Sequence, residues 1–481
     1  LKRLMKEFEK ELAIVRGRVD GLEAKVGELE ATQFSTTTTL QGKATMVLGA
    51  IDAGGDLYAR PGFDIEDVAF LGDTSFGGPL FDSDGNRVRS RENYNRAYGA
   101  TTFSYDYRFE LNTSFTGKDL LFTRLRAGNF DNAFNGNGVN LTALDIASDS
   151  DNDLFVDRLY YRFPFGSQFE FAVGPRARNT EFLGAKPGVY GSGQGDKILD
   201  YFAVWGVPGT YNKATGAFGG VIWRTPFKFW GGKFSATANY VAPNGNLGGV
   251  RTDDNDFSCN SSEGGIGNDC SRASFLAQLG WTSKQFGISG AYRYGQRGSN
   301  FRRGTEFVRD NGWWLRDGSS DSVAVNAYWQ PRNSGWLPSI SLGWGLNSLS
   351  DNNPRVFDAD GDAFELPRVK ESQSWYVGLQ WDDVFWQGNA FGMAVGQPTF
   401  ATEIACGDVD RDFCDSSPSD GNYAWEWWYK WQVTDNISIT PALFYLSRPL
   451  GQYTANLSDG KVDRDRSFDL FGGLLQATFK F

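Results

Sequence analysis

The chain of 481 residues contains no histidine. This removes the usual general base, the Ser-His-Asp arrangement and the commonest zinc ligand. A barrel enzyme built on it would need an unusual Ser or carboxylate site, and no motif for one is present. Long apolar runs are also missing: none reaches the length of a membrane-spanning helix, and mean hydropathy is −0.41. Lys and Arg number 47 against 58 Asp and Glu, a net charge of −11, which argues against a general nucleic-acid binder. Cysteine is scarce, and its four copies form two close pairs, Cys259/Cys270 and Cys406/Cys414, in segments rich in Gly, Asp and Ser. An even count in close pairs reads as two disulfide staples in loops outside the cytosol, the competing reading being four free thiols. Beginning at Leu1 without an initiator Met or signal peptide, the chain reads as a processed or trimmed form of an exported protein.

Aromatics and glycine are abundant, at 15% and 59 residues, which favours an all-β protein with many turns. Between Thr102 and Thr116 the chain alternates. Phe103, Tyr105, Tyr107, Phe109, Leu111 and Phe115 share one parity, while Ser104, Asp106, Arg108, Glu110, Asn112 and Ser114 take the other. Successive strand residues point to opposite faces, so one face is greasy and the other charged. The last strand repeats the pattern, with Gly473, Leu475, Ala477, Phe479 and Phe481 against Gln476, Thr478 and Lys480. Such two-faced strands suit a barrel wall with lipid outside and water inside.

About sixteen such runs follow one another from 40–53 to 468–481, with 97–116 and 168–174 among them. Connections between them alternate short and long, as in membrane barrels whose short turns lie in the periplasm and long loops outside. An even count places both barrel ends on the short-turn side and both cysteine pairs in external loops. The expected fold is all-β: a 16-stranded antiparallel transmembrane β-barrel over 40–481. A soluble propeller would show a fixed repeat, which is absent. A soluble lectin would also be aromatic-rich, but would not need this loop asymmetry.

Residues 1–31 carry a different pattern. Leu1, Met5, Phe8, Leu12, Val15, Val19, Leu22, Val26 and Leu29 recur at alternating spacings of four and three, a heptad seam. Glu11 faces Arg16, Arg18 faces Glu23, and Lys25 faces Glu30, opposite signs that favour parallel, in-register helices. Gly17, Gly21 and Gly27 each weaken the helix by about 1 kcal/mol relative to Ala, so assembly must supply the stability. The competing reading is an amphipathic helix packed on its own domain. Residues 32–39, with four consecutive Thr, read as a hinge.

Several of these segments resemble known families. Arg18, Val19, Leu22 and Glu23 resemble the R-h-x-x-h-E motif of short trimeric coiled coils. The stretch Glu426 to Thr434 followed by Ile437 to Tyr445 resembles the penultimate hairpin of OprB-type carbohydrate porins. The terminal Phe481 after Phe479 resembles the C-terminal signal of outer-membrane barrels. A heptad segment before such a barrel resembles the major porins of cyanobacterial outer membranes. This resemblance implies a homotrimer of sixteen-stranded barrels in outer-membrane lipid, passing ions and small solutes, with the coiled coil in the periplasm. In that family a preceding surface-layer-homology domain binds wall polysaccharide or peptidoglycan; this chain lacks it. A sugar-selective channel and a mainly structural tether are the alternatives. No cofactor is required.

Parity assigns the lumen. Asp106, Arg108, Glu110, Arg124, Arg126, Arg158, Arg162 and Arg293 turn inward, with Lys233, Lys430, Glu170 and Glu426, because a charge on the lipid face would cost about 2–4 kcal/mol at the midplane. This set is predominantly basic, which implies either an anion-favouring wall beneath acidic loops, or paired charges that hold the wall together. The connection 175–218 carries Arg176, Arg178, Glu181, Lys186, Asp196, Lys197 and Asp200 with Tyr190, Tyr201 and Trp205. It is expected to fold into the lumen as a constriction, the alternative being a lid over the mouth. Asp358, Asp360 and Asp362 surround Gly361 at a spacing that suits a structural Ca²⁺ in an external loop. Asp149/Asp151/Asp153, Asp408/Asp410/Asp412 and Asp82/Asp84/Asn86 repeat or approach it. None matches an EF-hand loop.

Overall fold

A computed structural model describes residues 8, 15–16, 18–19, 21, 37–57, 90–250, 259–296, 299, 301–313, 318–333, 335–350, 355–357, 363–365, 368–406, 416–454, 456–458, 461–463 and 466–481. The barrel begins with β1 (Thr38–Gly55), β2 (Thr102–Thr113), β3 (Leu120–Gly128), β4 (Phe155–Phe165), β5 (Phe169–Arg178), β6 (Thr215–Arg224) and β7 (Lys233–Ala242). It continues with β8 (Ser274–Thr282), β9 (Phe286–Gly295), β10 (Ser320–Trp329) and β11 (Ser339–Leu349). A small external hairpin of β12 (Arg355–Phe357) and β13 (Ala363–Glu365) precedes β14 (Arg368–Asp382), β15 (Ala390–Ala405), β16 (Tyr423–Gln432) and β17 (Ile437–Ser447). A second hairpin, β18 (Asn456–Ser458) with β19 (Lys461–Asp463), precedes β20 (Phe468–Lys480). Apart from the two hairpins, every strand pairs antiparallel with its neighbours, and β20 closes on β1, a barrel of sixteen strands. Closure leaves no strand edge unpaired, which a wall in lipid requires.

The expected run 97–116 proves shorter. Its start is a helix, α1 (Ser90–Tyr98), and β2 begins at Thr102. The run 168–174 extends further, to Arg178, through an irregular register between Gly174 and Ala177. Connections at one end span 114–119, 166–168, 225–232, 283–285, 330–338, 383–389 and 433–436; at the other end they run from 17 residues (406–422) to 46 (56–101). Both the start of β1 and Phe481 lie at the short-turn end. There Phe481 exchanges backbone hydrogen bonds with Gly42, and its ring packs beside Tyr107 and Phe109. A Cβ on Gly42 would sit 2.1 Å from that ring, so glycine makes room for the terminal aromatic.

Alternation holds along the wall. On β9, Phe286, Ile288, Tyr292 and Tyr294 are exposed outward while Ser289, Ala291 and Arg293 are buried inward. Exposed aromatics gather near the short-turn end, among them Phe165, Trp230, Trp336, Phe385 and Trp386, and again near the long-connection end, among them Phe103, Tyr294, Tyr423 and Phe471. Two such bands of aromatic residues match the girdles that mark the two boundaries of a bilayer on an outer-membrane barrel. The interior differs from the simple water-filled expectation. Val47, Ile51, Phe444, Leu446, Leu470 and Leu474 face inward and pack with Phe130, Leu141, Phe202 and Val204 of the long connections, an apolar core inside the barrel. Ahead of β1, residues Phe8, Val15, Arg16, Arg18, Val19 and Gly21 are helical and exposed. Leu22 and Glu23 lie outside the described residues.

Candidate functional site

Strands β2 to β6 carry a ladder of ion pairs on their inner face. Pairing register sets Glu110 opposite Arg124, and Arg108 opposite Arg126. Asp106 sits between two arginines, at 2.5 Å from Arg108 Nε and 2.5 Å from Arg126 Nε. Arg124 Nε donates to Glu110 Oε1 at 2.9 Å. Arg158 Nε donates to Glu181 Oε2 at 2.8 Å, and its Nη1 to Asp157 Oδ1 at 2.7 Å. Nearer the short turns, Glu170 accepts from Arg162 and, at 2.8 Å, from Arg224 Nη1.

A bulge makes part of this possible. Arg124 pairs with Arg158 but Leu125 pairs with Val156, so Asp157 has no partner across the strand. The extra residue turns both Asp157 and Arg158 inward. Strict alternation would have put Asp157 in lipid. Rings share this wall: Phe122, Tyr160 and Phe182 lie inside, with the Arg124 guanidinium 5.2 Å above Phe122 and that of Arg162 5.6 Å above Phe182.

The connection 179–214, which includes α2 (Asp200–Ala203), crosses the interior and docks on the opposite wall. Gly184 N donates to Thr237, Ala185 N to Gln278, and Val189 and Tyr190 N to Ser341. Glu426 is wholly buried on β16 and anchors two points. Its Oε1 accepts from Tyr190 Oη at 2.7 Å and its Oε2 from Leu199 N at 2.8 Å. Gly206 adopts φ +68° against the face of Tyr376, where a Cβ would lie 2.5 Å from the ring. Asp196 accepts from Thr440 and Gln476, and Lys197 lies 6.0 Å over Trp205. Lys186 is exposed and Arg178 reaches Thr215 at 3.3 Å. Arg176 is exposed on β5 and donates to the Asp157 carbonyl.

This docking makes the inner surface asymmetric. Most inward side chains from β7 to β20 are sealed: Thr237, Gln278, Ser341, Tyr376, Glu426 and Thr440 are each at most 4% exposed, while Lys233 at the short-turn end of β7 stays exposed. On the ladder, Glu110, Arg162 and Arg224 keep 29%, 34% and 37% of their side chains exposed. Water reaches the β2–β6 face.

Asp200 ties three long connections together. Its carboxylate takes Lys213 Nζ at 2.5 Å, Arg302 Nε at 2.6 Å and Arg303 Nε at 2.7 Å, while Lys213 also pairs with Asp145. Burial alone would raise this carboxyl, but Arg302, Lys213 and Arg303 outweigh it and hold it well below the usual range. Asp420 clamps three other segments, accepting from Ala401 N at 2.6 Å, Thr305 Oγ1 at 2.8 Å and Gln452 N at 2.8 Å. Its burial pushes it up to about 7, against the pull of those donors.

Comparison with known proteins places this architecture. The model of the carbohydrate-selective porins, OprB family, matches residues 1–481. The chain belongs to the OprB family. Two uncharacterised cyanobacterial proteins are similar to this porin. One from Nostoc sp. is 27% identical over 500 residues, covering 100% of this chain and 72% of that protein. One from Synechocystis sp. is 28% identical over 469 residues, covering 93% and 72%. Among solved structures, Pseudomonas putida OprB at high pH superposes with TM-score 0.48 and 12% identity, covering 95% of this chain and 96% of that one. Acinetobacter baumannii DcaP, an outer membrane channel, gives 0.44 and 11%, covering 92% and 97%. The family's members are outer-membrane channels rather than enzymes.

Within the porin, four residues expected on a water-lined wall, Asp106, Arg158, Arg293 and Glu426, are instead at most 1% exposed. Arg158 is covered by Glu181, and Arg293 lies at the long-connection end, bonded to Ser299 and Ser320. Arg126 is nearly so, its Nη2 donating to the Ile146 carbonyl of the 129–154 connection. Arg108, Glu110, Arg124 and Arg162 stay partly open. Sequence reasoning missed Asp157, Arg224, Lys213, Arg302 and Arg303. A bulge or a contact between connections carries no local signature.

Cys259 and Cys270 form a disulfide in the long connection 243–273. Cys406 is disulfide-bonded too, and its expected partner Cys414 lies outside the described residues. So do Asp358, Asp360 and Asp362, together with Asp82/Asp84/Asn86 and Asp408/Asp410/Asp412. Asp149, Asp151 and Asp153 are exposed in a turn. Among the described residues the one cluster at metal-ligand spacing is Cys259, Glu263 and Cys270, whose sulfurs are already joined.

Proposed function

We propose that this porin passes inorganic ions and small hydrophilic solutes by diffusion along the β2–β6 face, favouring anions. The observation that carries this reading is the charge of the open face. Asp106, Glu110, Asp157, Glu170 and Glu181 each already contact an arginine. Arg178, Lys43 and Lys186 have no carboxylate within 4.0 Å among the described residues, so positive charge is in excess. Side-chain charge at a narrow passage sets ion preference. Connection 179–214 is the constriction in this proposal. Reversal potentials across planar bilayers in a salt gradient test it: anion preference is expected, and clear cation preference refutes it.

A sugar-selective channel is the second reading, in keeping with the family's description. Sugar rings need an open aromatic face. Phe122 and Phe182 are buried beneath arginines, which favours ions. Conductance block by sugars of graded size separates the two.

The porin acts as a homotrimer joined by the parallel coiled coil of 1–31 on the periplasmic side. Supporting this, the seam positions Phe8, Val15 and Val19 are helical yet 61%, 56% and 45% exposed in one chain. Light scattering of the detergent-solubilised protein tests it; a monomer at micromolar concentration refutes it. Calcium at Asp358–Asp362 is a stabilising ligand of the external hairpin. Loss of thermal stability on chelation is expected, and none would remove the idea.

A further inference from the structure

Arg293 is a fully buried charge with no ion pair among the described residues. It lies on the inner face of β9 near the long-connection end, with 0% of its surface exposed. No carboxylate among the described residues lies within ion-pair distance. Asp321 acts on it beyond that distance, but Asp321 belongs to the outward parity of β10 and accepts from Tyr292 Oη at 2.5 Å. A guanidinium buried without a counter-charge is strongly unfavourable.

What surrounds it is a set of hydroxyls. Arg293 Nη1 donates to Ser299 Oγ at 2.8 Å, and Nη2 donates to Ser320 Oγ at 3.0 Å and Ser322 Oγ at 3.5 Å. Nε has no partner. Ser274 is wholly buried on β8, and its hydroxyl is also unpartnered. Register pairs Gly295 with both Ser274 and Ser320, and the guanidinium lies over that glycine, 2.5 Å from where a Cβ would stand. Three serines thus accept from one arginine, and a fourth, Ser274, stands across from the glycine the guanidinium covers. Each hydroxyl that accepts from Arg293 still has its own proton to donate. The cluster is rich in donors, carries one positive charge and includes no carboxylate among its described members. It needs an acceptor with negative charge.

We propose that Arg293 with Ser274, Ser299, Ser320 and Ser322 forms a buried site for a small inorganic anion of chloride size. The anion neutralises the guanidinium and ties β8, β9, β10 and the connection 296–319 together at the long-connection end. It is distinct from the open β2–β6 face, so it acts as a structural ligand rather than a permeating ion.

Bromide provides the probe. Crystals of the whole chain grown in sodium bromide should show an anomalous peak within contact of Arg293 and at least two of the serines, absent from R293Q. The detergent-solubilised wild type should lose thermal stability when chloride is replaced by gluconate, while R293Q should not respond. If R293Q fails to fold, S320A tests the same point through a weaker halide dependence. Water alone at the site, a carboxylate of the chain occupying it, or an unchanged bromide peak in the variant would each overturn the proposal.

Discussion

Glu170 offers the sharpest test of the open face, because its two arginine partners allow opposite perturbations at one place. Arg162 and Arg224 flank it near the short-turn end, and all three remain partly exposed. A unit charge about 6 Å from a passing ion in water contributes about 0.7 kcal/mol. Roughly half survives at 0.1 M salt, where the Debye length is about 10 Å. The term acts with opposite sign on anion and cation, so removing one charge moves their permeability ratio by about three- to fourfold. R162Q or R224Q should shift reversal potential toward cations, and E170Q should shift it toward anions. If the ladder only braces the wall, both kinds of variant loosen the same pairs and no opposed shift appears. Equal reversal potentials in all three variants, or a cation shift in E170Q, would refute the placement of the passage.

Removing 184–197 should raise single-channel conductance, because this segment of the inward connection is held across the lumen by Ser341 and Gln380; unchanged conductance would deny it a constricting role. D200N strands Arg302 and Arg303 and leaves Lys213 to Asp145 alone, and breaking a buried ion cluster costs about 3–5 kcal/mol. Its thermal unfolding midpoint should fall, and part of the loss should return when Arg303→Gln removes a stranded charge. At Asp420 the folded value is raised to about 7, so the fold binds the proton more tightly than the unfolded chain does. Its favourable contribution is therefore present in acid and lost as pH rises through about 7. Hydrogen exchange in 301–308 and 448–454, corrected for intrinsic rates, should speed up over that range in the wild type and not in D420N. A flat wild-type profile would refute the clamp.

Phe103 to Phe115 shows why so much of the wall was legible. A strand has a period of two, and lipid tolerates charge so poorly that each wall residue declares its face. The sixteen strands, most of their ends to within about five residues, and the alternation of short and long connections therefore followed from the chain alone, although β15 runs eight residues past its expected end at 397. Asp157 shows where that reasoning stops. Its parity pointed outward, and only the register slip between Arg124 and Leu125 turns it inward. Inward parity likewise placed Arg158 and Arg293 inside the barrel, but the connections that bury them come from distant parts of the chain.

The apolar inward residues make the same distinction. Val47, Phe444 and Leu470 have the periodicity of an inner face but the chemistry of a core. The connections 129–154 and 179–214 explain them by packing against them inside the barrel. By itself the sequence determined the barrel, its strand number and which side chains point inward, because lipid on one face enforces a two-residue period. The tertiary structure alone decided which of those inward residues meet water, because that depends on where long connections dock, and docking is settled by contacts such as Glu426 with Tyr190 that no local pattern encodes.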